Sequence, residues 1–315
     1  MRLLADKKET PSALIEVLKH LDQIVVGKSR QVRLSLACIL ARGHLLVEDL
    51  PGMGKTTLAH ALAKVMHLDF QRLQFTSDLL PADITGVSIY DRNTASFSFH
   101  PGPVFTQLML ADEINRATPK AQSALLEAME EGQVTVEGET RQLPEPFFVV
   151  ATQNPIEQSG TFALPESQLD RFLMRIELGY PDHKAEREIL SGRNRKHMMT
   201  DLQAVLNQQQ LLDFQQQVSE VFASDAVLDY LQQILAYTRQ SGEYRAGISP
   251  RGGLSLLAAA KAWAFLDGRN HMLPEDIKAV VPCVLSHRLQ PVDGRSASLD
   301  HQGIENLLQA VSVNL

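Results

Sequence analysis

Residues 51–56 read Pro-Gly-Met-Gly-Lys-Thr and follow the apolar run 44–47. The two glycines let backbone N–H groups close around phosphate oxygens with no Cβ in the way. Lys55 supplies a positive charge for the β- and γ-phosphates, and the Thr56 hydroxyl suits Mg²⁺ at the start of the following helix. The segment therefore predicts a nucleotide phosphate-binding loop. We expect all of its residues to contact the nucleotide: Pro51, Gly52, Met53, Gly54, Lys55, Thr56 and Thr57.

One position departs from the general pattern of such loops. The pattern places a glycine five residues before Gly54, and this chain has Asp49 there. The alternative interpretation is a Gly- and Pro-rich strand–helix turn with a chance lysine. The apolar run 44–47 and the helical pattern 58–66 lie where a phosphate loop needs its strand and its helix, which favours nucleotide binding.

Two adjacent carboxylates, Asp112 and Glu113, end the apolar run 108–111 about sixty residues after the phosphate loop. Asp112 is suited to hold Mg²⁺, through water, beside the phosphates. Glu113 is suited to polarise the attacking water as a general base. Adjacent carboxylates also occur as plain solvated strand ends, but their position relative to the loop favours a hydrolytic role.

The next apolar run, 147–151, leads to Asn154 and Pro155. The neutral amide of Asn154 can hydrogen-bond both the γ-phosphate and the attacking water without repelling either. A turn before proline is the commoner use of Asn-Pro. The position of Asn154 after a strand that follows the carboxylates favours the functional interpretation.

Two arginines are further candidates for contact with phosphate. Arg171 lies in the stretch 164–172, downstream of all the strands predicted here, and so is expected away from its own phosphate loop and facing a neighbouring subunit. Arg251 begins a helix in the second half and could reach back over the nucleotide. The alternative for either is a surface salt bridge, which contributes little stability.

Composition limits the class of protein. Over 315 residues, 44% hydrophobic and 21% charged content is that of an ordinary globular chain. A net charge of −7 disfavours bulk electrostatic binding to nucleic acid. Cys38 and Cys283 lie in apolar stretches and are expected as buried thiols in a reducing compartment. There is no apolar run of about 18 residues, and residues 1–8 become charged too early for a secretory signal, so we expect a cytoplasmic protein with no membrane span.

Strand and helix patterns alternate in the first half of the chain. The predicted strands are 44–47, 72–75, 108–111 and 147–151, and the predicted helices are 12–21, 31–41, 58–66 and 120–131. This alternation predicts an α/β fold, with a parallel sheet sandwiched by helices.

Two inserts and an all-helical second half complete the predicted organisation. Segments 85–105 and 133–143 have the alternation and turn residues of β-hairpins. After Pro181 the strand signals stop and helical periodicity takes over. We therefore predict a nucleotide-binding core at residues 1–185 and an all-helical lid at residues 186–315.

Taken together, these motifs resemble those of an AAA+ ATPase. The stretches 111–129 and 154–174, which contain the carboxylate pair, Asn154 and Arg171, are similar to the MoxR family. The similarity runs from about Ile24 to Leu289. The resemblance implies an AAA+ core with a helical lid, ATP with Mg²⁺ bound between subunits, and a homo-oligomeric ring, expected to be hexameric.

The resemblance also implies roles for particular residues. Lys55 and Thr56 would hold phosphate and Mg²⁺, Asp112 the metal, and Glu113 the attacking water. Asn154 would be the first sensor, Arg171 a trans-acting arginine finger, and Arg251 the lid sensor. Adenine would lie beside Val25, Val26 and Gly27.

Relatives of this kind resemble chaperones that help to mature other proteins, commonly beside partners with a von Willebrand factor A domain. An ATP-driven remodeller of protein clients is thus the leading interpretation. The alternatives are a nucleotide-gated scaffold that does no mechanical work, a magnesium-chelatase-like motor subunit, and a motor on nucleic acid. The acidic charge and the lack of a basic, aromatic-interleaved segment count against the last.

Overall fold

The computed structural model describes residues 10–93, 95–155, 160–191, 195–292 and 299–311. Its strands are β1 (His44–Glu48), β2 (Phe70–Gln74), β3 (Gly86–Asp91), β4 (Ser96–Pro101), β5 (Leu108–Asp112), β6 (Gln133–Val136), β7 (Glu139–Gln142), β8 (Phe148–Gln153) and β9 (Phe172–Ile176). Its helices are α1 (Ser12–Ile24), α2 (Ser29–Leu40), α3 (Lys55–Val65), α4 (Pro81–Thr85), α5 (Pro119–Glu131), α6 (Glu166–Leu169), α7 (His183–Leu190), α8 (Arg195–Asp201), α9 (Gln208–Ser219), α10 (Asp225–Gln240), α11 (Pro250–Leu266), α12 (Pro274–Leu285) and α13 (His301–Ala310).

Five parallel strands form the central sheet in the order β2-β5-β8-β1-β9. Each face of the sheet carries a hydrophobic core, and successive side chains of an inner strand point into one core and then the other. In β1, Leu45 and Val47 pack with residues of α1, α2 and α3, whereas Leu46 packs with residues of α5. Burial on both faces explains why the inner strands read as unbroken apolar runs. The predicted parallel sheet between helical layers is confirmed.

The edge strand β9 was missed by the sequence analysis, which predicts four strands. It pairs with β1 in parallel, and its charged residue Arg175 donates a 2.8 Å hydrogen bond to the Glu48 carboxylate of β1. A charge in a five-residue run weakens the apolar signal of a strand. Arg171 therefore lies immediately before a strand, and the prediction that it lies downstream of all the strands was wrong.

Both predicted hairpins are present, as the antiparallel pairs β3–β4 and β6–β7. The first hairpin leaves apolar surface uncovered, since Phe97 is 70% exposed and its ring contacts Tyr90, which is 50% exposed. Phe99, by contrast, packs edge-on against Phe105. On the second hairpin, Val134 is buried. The apolar residues of the hairpins thus divide between core and surface.

The elements from α7 onward are helices, as predicted. Ser224 and Ser249 begin α10 and α11 with side-chain hydroxyls that accept hydrogen bonds from the first turn. Helices α11 and α12 pack on each other and also against β9, so the helical half rests directly on the sheet. A domain boundary at residue 185 stays a prediction.

Both cysteines are buried free thiols, as expected, and burial raises the pKa of Cys283 to about 11. In the described part of the chain, no helix combines the length and apolarity that a membrane crossing requires.

His44, at the start of β1, is a buried imidazole held in its neutral form. The Val149 N–H donates to Nδ1 at 3.0 Å, and Nε2 lies 3.1 Å from the Met129 carbonyl oxygen. Protonating Nδ1 would set two N–H groups against each other. Burial lowers the pKa of His44 from 6.5 to about 4.

Acid is therefore expected to destabilise the fold through His44. The unfolded chain binds a proton near pH 6.5 and the folded chain only near pH 4, so stability present above pH 6.5 is lost as the pH falls towards 4. The loss is roughly 3 kcal/mol. Buried His287, whose pKa is also lowered by burial, contributes in the same range, so the difference in unfolding free energy between wild type and His44→Asn from pH 7 to 4 measures the His44 share. His44→Asn, which keeps an acceptor for Val149, should flatten this dependence, and an unchanged slope would contradict the assignment.

Candidate active site

The phosphate loop turns between β1 and α3 with two residues in the left-handed region. Gly52 has φ +84° and Gly54 has φ +92°. A Cβ on either would meet open space, so backbone conformation, and not crowding, requires glycine here. Gly54 caps α3, which begins with Lys55 and Thr56. The N–H groups at a helix start lack partners within the helix and bind phosphate oxygens readily.

Lys55 is buried, and its ammonium group reaches carbonyl oxygens that border the loop. Nζ lies 2.5 Å from the Asp49 oxygen and 3.5 Å from the Gln153 oxygen. Asp49 follows β1 and Gln153 is the last residue of β8, so the charge lies where two neighbouring strands end. A phosphate is a stronger, charge-assisted partner for an ammonium group than a carbonyl is.

Asp49, the departure from the general loop pattern, has a structural role. One carboxylate oxygen accepts a 2.8 Å hydrogen bond from the Leu50 N–H, and the other accepts a 2.6 Å bond from the Gly179 N–H. Gly179 lies in the connection between β9 and α7. The carboxylate thus ties the start of the phosphate loop to the link with the helical half, which a glycine could not do.

Asp112 is the last residue of β5 and is held from two sides. Thr152 of β8 donates a 2.6 Å hydrogen bond from its hydroxyl to Oδ1, and Arg72 of β2 donates to Oδ2 from Nε at 3.1 Å and Nη2 at 2.7 Å. Both neighbouring strands therefore fix the orientation of this carboxylate. It is buried, and the charge of Arg72 balances its own, as a buried carboxylate requires.

Glu113 follows with backbone φ +56°, a left-handed conformation that is uncommon for a residue with a side chain. Its N–H donates to the Thr152 hydroxyl at 2.9 Å. Its carboxylate accepts a 2.7 Å hydrogen bond from Gln74 and lies 3.1 Å from Nε of Arg116. Strained backbone of this kind is concentrated at functional sites. Here it turns Glu113 out of the strand direction while Asp112 continues it.

Asn154 is buried directly after β8, the strand that lies between β1 and β5. The phosphate loop follows β1 and the carboxylate pair follows β5, and the strands are parallel. The structure therefore brings Lys55, Asp112, Glu113 and Asn154 to one edge of the sheet, the edge at which ligands bind in open α/β folds.

The two candidate arginines lie together at the opposite edge of the sheet, where the parallel strands begin. Arg171 precedes Phe172, which pairs with His44 at the start of β1. Its Nε is 2.8 Å from a carboxylate oxygen of Glu130, and the other Glu130 oxygen accepts a hydrogen bond from Arg251. The hydrogen bond from Arg251 is the main reason that the pKa of Glu130 lies below its usual value.

The arginines are consequently remote from the phosphate loop of their own subunit. The length of β1 separates them from it: the four steps from His44 to Glu48 span roughly 13 Å at about 3.3 Å per step. Arg171 and Arg251 line one cavity with Gly43 and Glu130, and this cavity contains none of the residues 51–57. Within this subunit Arg251 does not lie over the phosphate loop, contrary to one expectation from the sequence.

The segment predicted to lie beside adenine connects α1 to α2. Gly27 has φ +73°, and a Cβ there would come within 2.6 Å of the Ala185 Cβ in α7. The neighbouring Lys28 donates a 2.6 Å hydrogen bond to the Tyr180 carbonyl. Val25 and Val26 thus lie beside the connection to the helical half, and α1 packs on α3, which carries the phosphate loop.

Several residues that hold the site were missed by the sequence analysis. Each has a polar side chain that forms a hydrogen bond or ion pair with a predicted site residue of another element: Arg72, Gln74, Glu130 and Thr152. Arg72, Gln74 and Thr152 are polar residues of strands and Glu130 lies near the end of α5, and polar residues in such positions are too common to mark a site.

Fold and site together define an AAA+ ATPase. Residues 44–174 match the model of the ATPase family associated with various cellular activities (AAA), and residues 236–310 match that of the AAA lid domain. The crystal structure of a "putative ATPase" from Cytophaga hutchinsonii superposes with a TM-score of 0.87 at 37% identity, covering 96% of both chains.

Within that class, the chain belongs to the MoxR family. It is 40% identical to Chaperone MoxR1 of Mycobacterium tuberculosis, over 91% of this chain and 77% of the relative. It is 47% identical to the uncharacterized protein YeaC of Bacillus subtilis, over 91% and 89%. As an AAA+ ATPase it binds and hydrolyses ATP.

Proposed function

We propose that the chain works as a head-to-tail ring in which each ATP is hydrolysed between two subunits. The observation that carries this is the position of Arg171 and Arg251 at the sheet edge opposite to their own phosphate loop. Phosphoryl transfer needs positively charged groups beside the γ-phosphate oxygens, which carry the negative charge of the transition state. Two arginines on the far edge supply that positive charge only to a neighbour, and a heterologous contact of this kind closes into a ring. A hexamer is the expected size.

Within one site we assign roles by chemistry. Lys55 neutralises phosphate charge, Asn154 orients the attacking water, and Glu113 takes its proton. Asp112 is held by Arg72, whereas Glu113 contacts Gln74 and Arg116 through one carboxylate oxygen and its side chain is 28% exposed, so water can reach it. Arg171 and Arg251 of the neighbouring subunit leave their contacts with Glu130 and bind the phosphate instead.

The site also fits a magnesium ion. The Asp112 carboxylate and the Thr56 hydroxyl are the hard oxygen donors that this ion prefers. When bound, Mg²⁺ would offset the charge that develops on the phosphates. Arg72 and Thr152 pre-orient Asp112 for that purpose.

We further propose that ATP turnover remodels or helps to mature protein clients, beside a partner with a von Willebrand factor A domain. The name of the mycobacterial relative, a chaperone, supports this over a scaffold that only binds nucleotide. The fixed geometry of Glu113 supports it too, because a gate that only binds ATP has no need for a base oriented by Gln74 and the Thr152 hydroxyl.

Dilution tests the shared site. Turnover per subunit should fall steeply when the protein is diluted below its assembly range, because Arg171 then leaves the neighbour's site, whereas ATP binding to Lys55 and its loop should persist. Phosphate release and sedimentation measured over the same concentration series give both quantities. Turnover that stays constant in demonstrated monomers would contradict the proposal.

The exposed aromatic pair on the β3–β4 hairpin is our candidate for client contact. Phe97→Ser should leave basal ATPase unchanged, because Phe97 lies on the surface and touches none of the site residues described above. Clients retained by the ATP-locked Glu113→Gln variant should be lost when Phe97→Ser is added. Phe222→Ser, which removes a phenylalanine that is 64% exposed elsewhere, is the control. Equal client retention in both would refute the assignment.

A further inference from the structure

Arg288, three residues past the end of α12, reaches from the helical half into the sheet. Its side chain is only 4% exposed. Nε donates to the Asp170 carboxylate at 2.7 Å, and Nη2 donates to the Asp170 and Phe172 carbonyl oxygens at 3.0 and 2.8 Å. Nη1 donates to the Leu173 carbonyl at 3.2 Å.

These contacts bracket Arg171 on both sides. Every acceptor named belongs to the residue before Arg171 or to the two residues after it, and so the guanidinium fixes the backbone from which Arg171 projects. A planar guanidinium can meet several acceptors at once in a fixed geometry, which an ammonium group cannot do. The segment that carries Arg171 is thus fastened to the helical half by Arg288, and also by the adjacent buried His287, whose Nε2 lies 3.1 Å from the Phe172 carbonyl oxygen.

Burying this charge has a cost. Desolvation lowers the pKa of Arg288, and the hydrogen bond to Asp170 opposes that shift. A buried ion pair is weak support for stability, since well-packed apolar residues often replace one without loss. Fastening a segment in a defined position is a use for such a pair that apolar packing does not supply.

We propose that Arg288 is a positioning residue through which the helical half sets the place of Arg171 in the neighbour's site. The inference rests on the proposed function, in which Arg171 acts in trans. It assigns Arg288 to the side of the interface that donates the arginine and not to the side that holds ATP.

Turnover and ATP affinity separate the two sides. Arg288→Met should keep ATP affinity and lose kcat by about 10²-fold, the effect of misplacing a catalytic group by about 1 Å. Arg288→Lys should recover only part of kcat, because it reaches fewer of the acceptors. A loss of ATP affinity equal to the loss of kcat would overturn the inference.

Mixing variants gives a readout that a structural role would not move. Arg288→Met mixed with Glu113→Gln should regain activity, because Arg171 of the second subunit then meets Glu113 of the first. Arg288→Met mixed with Arg171→Ala should stay inactive, because neither subunit donates a placed arginine. The reverse pattern, or equal activity in both mixtures, would overturn the inference. Should Arg288→Met fail to fold, Arg288→Lys is mixed in the same way: phosphate release should rise above that of Arg288→Lys alone on mixing with Glu113→Gln, and should not rise on mixing with Arg171→Ala.

One control distinguishes failure of this inference from failure of the proposed function on which it rests. Arg171→Ala mixed with Glu113→Gln tests trans action alone. If that control regains activity and the Arg288→Met mixtures do not follow the stated pattern, only the role of Arg288 is refuted. If the control itself stays inactive while subunits exchange, trans action by Arg171 is refuted first.

Discussion

Glu113→Gln is expected to bind ATP with nearly wild-type affinity and to lose turnover by roughly 10²–10⁴-fold, the usual contribution of a general base. The amide keeps the shape of the carboxylate and its contact with Gln74, but it cannot take a proton from water. Steady-state phosphate release, set against equilibrium binding of a fluorescent ATP analogue, measures both. Glu127→Gln, an exposed glutamate of α5, is the matched control and should change neither quantity.

Lys55→Ala is the complementary variant, because it tests the binding of ATP and not only its hydrolysis. It removes the charge that meets the phosphates, so it should weaken ATP binding sharply as well as abolish hydrolysis. Equal losses of nucleotide affinity in Lys55→Ala and Glu113→Gln would contradict the division of labour between loop and carboxylate. A Glu113→Gln variant that still hydrolyses ATP at the wild-type rate would show that Glu113 is not the general base.

Arg171→Ala should have a comparably large effect by a different route. An arginine supplied from outside accelerates phosphoryl transfer by about 10³–10⁵-fold in related enzymes, because it offsets charge on the equatorial oxygens of the γ-phosphate. ATP binding should survive, since Lys55 and the phosphate loop, which hold the nucleotide, are unchanged in every subunit. Single-turnover hydrolysis in assembled protein measures the loss.

Arg245→Ala serves as the control for removing a surface charge, because Arg245 is exposed in the helical half. It should leave the rate within about twofold of wild type, as surface substitutions away from a site usually do. Equal activity of Arg171→Ala and Arg245→Ala would show that Arg171 is a surface ion-pair partner of Glu130 and nothing more.

The sequence predicted the sheet and the phosphate side of the site because both depend on local patterns. Inner strands buried on two faces appear as apolar runs, and residues 51–57 must keep their types and spacing to surround phosphate. Asp112, Glu113 and Asn154 could then be placed by the rule that parallel strands end at one edge. Strand β9 escaped because Arg175 pairs with Glu48, a partner far away in sequence.

The arginine side of the site could not be predicted, because it depends on contacts between distant segments. Glu130 joins Arg171 to Arg251 across 41 and 121 residues of sequence, and no spacing rule connects the three. Asp49 departs from the general pattern of phosphate loops, and its structural role depends on the hydrogen bond that it accepts from the distant Gly179 N–H. Long-range polar contacts of this kind are set by the tertiary fold and not by propensity.

The most direct test of shared ATP sites is to mix Arg171→Ala with Glu113→Gln, two variants expected to be nearly inactive alone. In a head-to-tail ring, random equal mixing makes about a quarter of the interfaces competent, each joining an intact Glu113 to an intact Arg171. Subunit exchange is followed in parallel with fluorescently labelled protein. If neighbouring subunits share each ATP site, phosphate release reappears on mixing. A mixture that exchanges subunits and stays inactive would contradict it.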